Sequence, residues 1–262
     1  MATARGNSSI VHRKLALVIG NQNYTRKPLK NPEKDAKDLA YVLDRIGFDV
    51  KLGIDCTRET MATLIDAFAD RIDDQDLVLF YFAGHGFQYN QQNYLIPVDT
   101  AGQLGGLTSL KSNAINAQAT LDQLKSQTSY VTIFILDCCR EPWTEDNNTF
   151  RNLGDRDGGL FKMTAPGGSI IQFACAPDRL AADGGSQDKN GLFTKHLLQH
   201  IGKPNQDLEL ILRAVASGVY KESGGKQQPY RDSCLMIDEH LYLNTGEYPW
   251  PVLPDRSRGK YI

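Results

Sequence analysis

What the 262-residue chain lacks narrows its function first. No apolar run approaches the roughly 20 residues that a membrane-spanning helix needs, so no membrane partner is expected. Lys and Arg number 29 against 31 Asp and Glu, for a net charge of -2, and nowhere do they crowd into a basic patch. Nucleic acid is therefore not an expected partner. The five cysteines, Cys56, Cys138, Cys139, Cys175 and Cys234, include no CxxC pair, which removes zinc ribbons and thioredoxin-type redox motifs. Their number is odd, and the opening MATARGNSSIVHRK lacks the apolar stretch of a secretory signal, so a reduced, cytoplasmic setting is expected. The GNQNY at 20–24 is no phosphate loop. His196 and His200 stand four apart, but HLLQH lacks the Glu of a zinc protease and reads as a helix face, so no metal or cofactor is expected. Asp73, Asp74 and Asp76 read as a solvated loop.

What is present alternates. Continuous apolar runs suit strands buried on both faces: LALVIG at 15–20, DLVLFYFAG at 76–84, YVTIFILD at 130–137 and GGSIIQFACA at 167–176. DVKLGI at 49–54 is a further strand, and DSCLMID at 232–238 a candidate edge strand. Helical spacing of apolar residues marks 31–48, stopped by Gly47, and 57–72 with Thr57 as N-cap, then 120–127, 191–201 and 207–223. This pattern predicts one α/β domain with a largely parallel sheet. The expected organisation is a flexible N-terminus at 1–13, a domain at 14–244 and a C-terminal tail at 245–262. Two long polar loops, 142–168 and 177–190, are of the kind that serves as lids, binding loops or processing sites.

In a parallel sheet, ligands bind beyond the carboxyl ends of the strands. His85 stands there in FYFAGHGF and Cys139 in FILDCCR. An imidazole and a thiol on neighbouring strand ends form a nucleophilic dyad. Backbone N–H groups near Gly86 and Cys139 would then stabilise an oxyanion. The plainer readings are a turn histidine beside glycines and a cysteine serving as a small core hydrophobe. Alternation separates the two adjacent cysteines: if the strand persists to 139, Asp137 and Cys139 share one face and Cys138 takes the other. A carboxylate beside a nucleophilic thiol raises its pKa, so Asp137 either binds a cationic side chain or caps a turn.

The blocks KLALVIGNQNY, PLKNPEKDAKDLAYVLDRIGF, LVLFYFAGHGFQ, NYLIPVDT, IFILDCCR, SIIQFACAPDRLAADGG and NGLFTKHLL follow one another as they do in a known family. The chain resembles the caspase-like cysteine peptidases, and among them the paracaspases, bacterial caspase-like proteins and metacaspases. Caspases carry their histidine about 50 residues before the cysteine. The resemblance implies a caspase-like three-layer αβα sandwich with a mostly parallel sheet of about six strands. It makes Cys139 the nucleophile and His85 its partner. It also implies an acidic S1 pocket of Asp35, Asp137 and Asp183 that takes Arg, with Lys weaker because it lacks the guanidinium fork. Cleavage of protein or peptide substrates after these residues is the expected activity. Self-cleavage at Arg151, Arg156 or Lys162 is expected in the 142–168 linker, and a homodimer is a further expectation. Cys-His-Ser-Gly of the metacaspases is absent, which speaks against calcium activation. A catalytically silent scaffold module on the same fold is the alternative, and a Cys138–Cys139 redox pair is disfavoured by its strained ring. Arg140 has no role that the residues themselves explain.

Overall fold

The computed structural model describes residues 12–25, 27–100, 112–125, 129–139, 160–176 and 190–253, with Cys139 described through its backbone. The apolar runs form β1 (Lys14–Gly20), β3 (Leu77–Tyr89), β6 (Val131–Cys139) and β7 (Ser169–Phe173). β2 (Asp49–Ile54) and β8 (Tyr230–Cys234) complete a central sheet in the order β2-β1-β3-β6-β7-β8. Its first five strands run parallel and β8 runs antiparallel to β7.

Two-residue periodicity divides the core between the faces. Val131, Ile133 and Ile135 of β6 and Leu77, Leu79, Tyr81 and Ala83 of β3 join the core beneath α1 (Pro32–Arg45), α4 (Leu192–Leu198) and α5 (Leu208–Glu222). Phe134, Leu136 and Cys138, with Val78, Phe80 and Phe82, join the core beneath α2 (Arg58–Ala69) and α3 (Ala117–Lys125). Helices thus cover both faces of a mixed, mostly parallel sheet, the αβα arrangement expected. Gly47, at φ 89, ends the first helix as anticipated, and the Thr57 hydroxyl caps α2 by accepting from the Thr60 N–H. Among the described residues no helix is long and apolar enough to cross a membrane.

Four readings change. The strand expected to stop at Gly84 continues through His85 to Tyr89 and turns back as β4 (Gln92–Leu95). Asn90 and Gln91, at φ 47 and 60, make the two-residue hairpin turn, a conformation Asn tolerates but Asn-Gln does not advertise. β4 in turn pairs with the short β5 (Ile115–Asn116). The edge strand begins at Tyr230, whose ring packs 6.0 Å from that of Phe173, and ends at Cys234 before the more apolar residues. Asp76 is not solvated: it is 3 % exposed and held by Arg13, Nε to Oδ1 at 3.0 Å and Nη2 to Oδ2 at 2.6 Å. The described part of the expected tail is docked. Asn244 donates to the carbonyls of Gly202 and Tyr248, and Lys14 donates to those of Ile46 and Leu243 while facing the Tyr248 ring.

Candidate active site

The carboxyl ends of β3 and β6 bring the proposed dyad into register. Ala83, Gly84 and His85 pair with Asp137, Cys138 and Cys139. β6 persists to position 139, so Cys139 occupies the odd register position, in step with Asp137 and directly beside His85. Cys138 takes the even position. It is buried in the opposite core, where a Cβ added to Gly86 would lie 3.0 Å from its Sγ. Burial, and next the Asp137 carboxylate, push the Cys138 thiol well above its ordinary range. A thiol held protonated is a poor nucleophile.

His85 is held by the loop that leaves β1, which sequence reasoning did not assign to the site. The ring is buried, and its Nε2 lies 2.7 Å from the Lys27 carbonyl oxygen. A carbonyl only accepts, so Nε2 carries the proton and Nδ1 is the ring's basic nitrogen. Lys27 adopts φ 52, a left-handed conformation that aims this carbonyl, and backbone outliers of this kind gather at working sites. Tyr24 supports the ring from the side, centroid to centroid 4.5 Å at 55°. Its hydroxyl accepts the His85 backbone N–H at 2.9 Å and donates to the Ile96 carbonyl at 3.0 Å. Tyr24 lies inside the KLALVIGNQNY block, but no local pattern announces a contact across 61 positions.

The acidic side of the site joins α1, β6 and the start of α4. Asp35 is 3 % exposed. Its Oδ1 accepts from Asn190 Nδ2 at 2.9 Å and from the Gly191 N–H at 3.0 Å, and its Oδ2 lies 3.2 Å from that same N–H. Asn190 also donates to Asp38 at 3.0 Å and accepts from Lys34, which pairs with Asp38. Asp137 lies within a strand, so it does not cap a turn, and its Oδ2 accepts from the Thr194 hydroxyl at 2.7 Å. Gly191 is where the two acids meet: a Cβ there would stand 2.9 Å from Asp35 Oδ2, closer than a Cβ normally comes, and 3.9 Å from Asp137 Oδ2. Burial, and then the Asp137 charge, push the Asp35 carboxyl up to about 8, against the pull of its bonds from Asn190 and Gly191. Two buried carboxylates so arranged resist ionising together unless a cation joins them.

Other sequence-predicted residues fall elsewhere. Asp183, Arg151, Arg156 and Arg140 lie outside the described residues. Lys162 is exposed, but its neighbours Leu160 and Met163 are buried, and the Phe161 backbone is clamped by Asn93 at 2.6 and 2.7 Å. His196 packs against Gly218 and bonds Glu222 at 2.8 Å, a structural contact between α4 and α5.

Fold and register together define the class of protein: an αβα sandwich whose His and Cys stand side by side at the carboxyl ends of adjacent parallel strands. The Caspase domain family model matches residues 13–241, so the chain belongs to the caspase-domain family of peptidases. Mucosa-associated lymphoid tissue lymphoma translocation protein 1 of Homo sapiens is 31% identical over 129 residues, 49% of this chain. The Mus musculus homolog is 30% identical over the same length. The matched stretch covers 15% of the length of these relatives. Among solved structures, a Geobacter sulfurreducens protein superposes with a TM-score of 0.62 at 17% identity, covering 92% of this chain and 100% of its own. Pro-sf-caspase-1 superposes at 0.61 and 17% identity, over 88% and 94% of the two chains. These two likenesses concern the fold. The family supports a cysteine-protease kind of function.

Proposed function

We propose that the chain is a cysteine endopeptidase that cleaves proteins after Arg, and after Lys more weakly. The observation that carries this reading is the pairing of His85 with Cys139 in register, two residues from an acid whose Oδ2 meets that of Asp35 at Gly191. His85 Nδ1 takes the Cys139 thiol proton, and the thiolate adds to the scissile carbonyl. The N–H groups of Gly86 and Cys139 receive the developing oxyanion. Collapse expels the amine, which takes the proton from the imidazolium, and water then hydrolyses the thioester. Asp35, Asp137 and Asp183 form the S1 pocket, whose charge a bidentate guanidinium neutralises. The reading includes no cofactor and no calcium, a cytoplasmic setting and a homodimer. Self-processing falls in 142–168. Cleavage after Lys162 requires the Phe161 backbone to leave Asn93.

Matched reporter peptides ending in Arg, Lys or Asp test the reading. Hydrolysis in the order Arg over Lys, with Asp untouched, is expected. Preference for Asp overturns the pocket assignment, and failure of all three favours the silent module. For self-processing, fragments from the wild type that vanish in Cys139→Ala are expected, and fragments persisting in that variant refute it.

A further inference from the structure

The Asp137 carboxylate is anchored by a chain of hydroxyls that the peptidase chemistry does not account for. Tyr81 of β3 and Thr194 of α4 are both fully buried, and Tyr81 otherwise belongs to the apolar core beneath α1, α4 and α5. Their oxygens are 2.6 Å apart, and Thr194 Oγ1 is 2.7 Å from Asp137 Oδ2. The direction of the chain follows from counting protons. Thr194 has one hydroxyl proton, and the carboxylate is the partner that needs it. Thr194 Oγ1 therefore accepts from Tyr81, and the chain runs Tyr81 O–H to Thr194 O–H to Asp137 Oδ2. Burial, and next the charges of Asp137 and Asp35, hold the Tyr81 phenol well above its ordinary pKa, so it remains a donor throughout the range in which the protein is studied. A phenylalanine would fill the same space. A buried hydroxyl pair aimed at one carboxylate oxygen makes sense if the orientation of that carboxylate matters.

Orientation matters to one kind of cation more than the other. A guanidinium binds a carboxylate through two parallel N–H bonds in a shared plane, whereas an ammonium is a point charge indifferent to that plane. Resting on the reading of Asp137 as an S1 acid, we propose that Tyr81 and Thr194 are positioning residues that fix the plane of the Asp137 carboxylate and so set the preference for Arg over Lys at P1. Each bond in the chain polarises the next, so the distal Tyr81 adds to the effect of Thr194 with a smaller share.

The test measures kcat and KM for two peptides that differ only in Arg or Lys at P1. The enzymes are the wild type, Thr194→Val, Thr194→Ser, Tyr81→Phe and Asp137→Asn, with thermal unfolding recorded for each. Thr194→Val is expected to lower the Arg/Lys ratio of kcat/KM about tenfold, through KM for Arg, with kcat little changed. Tyr81→Phe lowers the ratio about threefold, and Thr194→Ser, which keeps the donor, restores it to within about twofold of the wild type. If Thr194→Val does not fold, Tyr81→Phe, which preserves the ring's volume, decides alone. A fall in melting temperature with an unchanged Arg/Lys ratio, while Asp137→Asn collapses Arg cleavage, refutes the positioning role and leaves the S1 reading intact. Undiminished Arg cleavage by Asp137→Asn refutes that reading and the positioning role with it.

Discussion

Replacing Asp35 by Asn should stabilise the protein while crippling it. The side chain keeps its shape and one acceptor oxygen for the Asn190 and Gly191 donors, and it loses the charge that faces Asp137. Burial and that charge raise the Asp35 carboxyl from an ordinary 3.8 to about 8. The folded state therefore binds a proton that the unfolded chain has released, and stability falls as pH rises between these two values. Each pH unit in that window costs up to about 1.4 kcal/mol, so at pH 7 the penalty removed is about 2–4 kcal/mol. For a chain of this size that corresponds to a melting temperature higher by about 4–10 °C. Thermal unfolding of both proteins at pH 4, 5, 6, 7 and 8 reads it out. The gap should be near zero at pH 4, widen with pH and level off above 8. The same variant should lose most kcat/KM for a P1-Arg peptide. A variant that melts below the wild type at pH 8, or a gap that does not grow with pH, refutes the electrostatic account of the pocket.

Tyr24→Phe removes the hydroxyl that accepts the His85 N–H and donates to the Ile96 carbonyl. Steady-state kinetics should show kcat about tenfold lower with KM nearly unchanged, the pattern of a loosened base, and an unchanged kcat contradicts its supporting role. Cys138→Ala removes a buried sulfur from the α2–α3 side of the sheet and should cost about 1 kcal/mol in denaturant unfolding while leaving peptide hydrolysis close to the wild type. Loss of hydrolysis in Cys138→Ala with retention in Cys139→Ala would reverse the assignment of the two thiols.

Much of this architecture is legible in local pattern, because period-two and helical spacing are local physics. The apolar runs at β1, β3, β6 and β7 announce strands, and alternation alone separates Cys138 from Asp137 and Cys139. The elements that escaped are set by distant partners. β3 outruns Gly84 because β4 pairs with its far end through a turn that Asn-Gln does not signal. Asp76 reads as solvated because Arg13, its counter-ion, stands 63 positions away. The site divides in the same way. Residue types and family blocks point to His85, Cys139, Asp35 and Asp137. Their supports, the Lys27 carbonyl, Tyr24, Asn190, Gly191 and Thr194, are ordinary residues whose roles arise only when β1, β3, β6 and α4 converge.

If Cys139 is a nucleophile served by an Arg-accepting pocket, a reagent that carries Arg should find it. The most direct measurement incubates the protein with a peptide ending in Arg that carries a thiol-reactive group, beside the same reagent ending in Asp, and locates the adduct by mass spectrometry. A stoichiometric adduct on Cys139 from the Arg reagent is expected, suppressed by Asp137→Asn and absent with the Asp reagent. An adduct on Cys138, or equal labelling of Cys139 by both reagents, would contradict this reading.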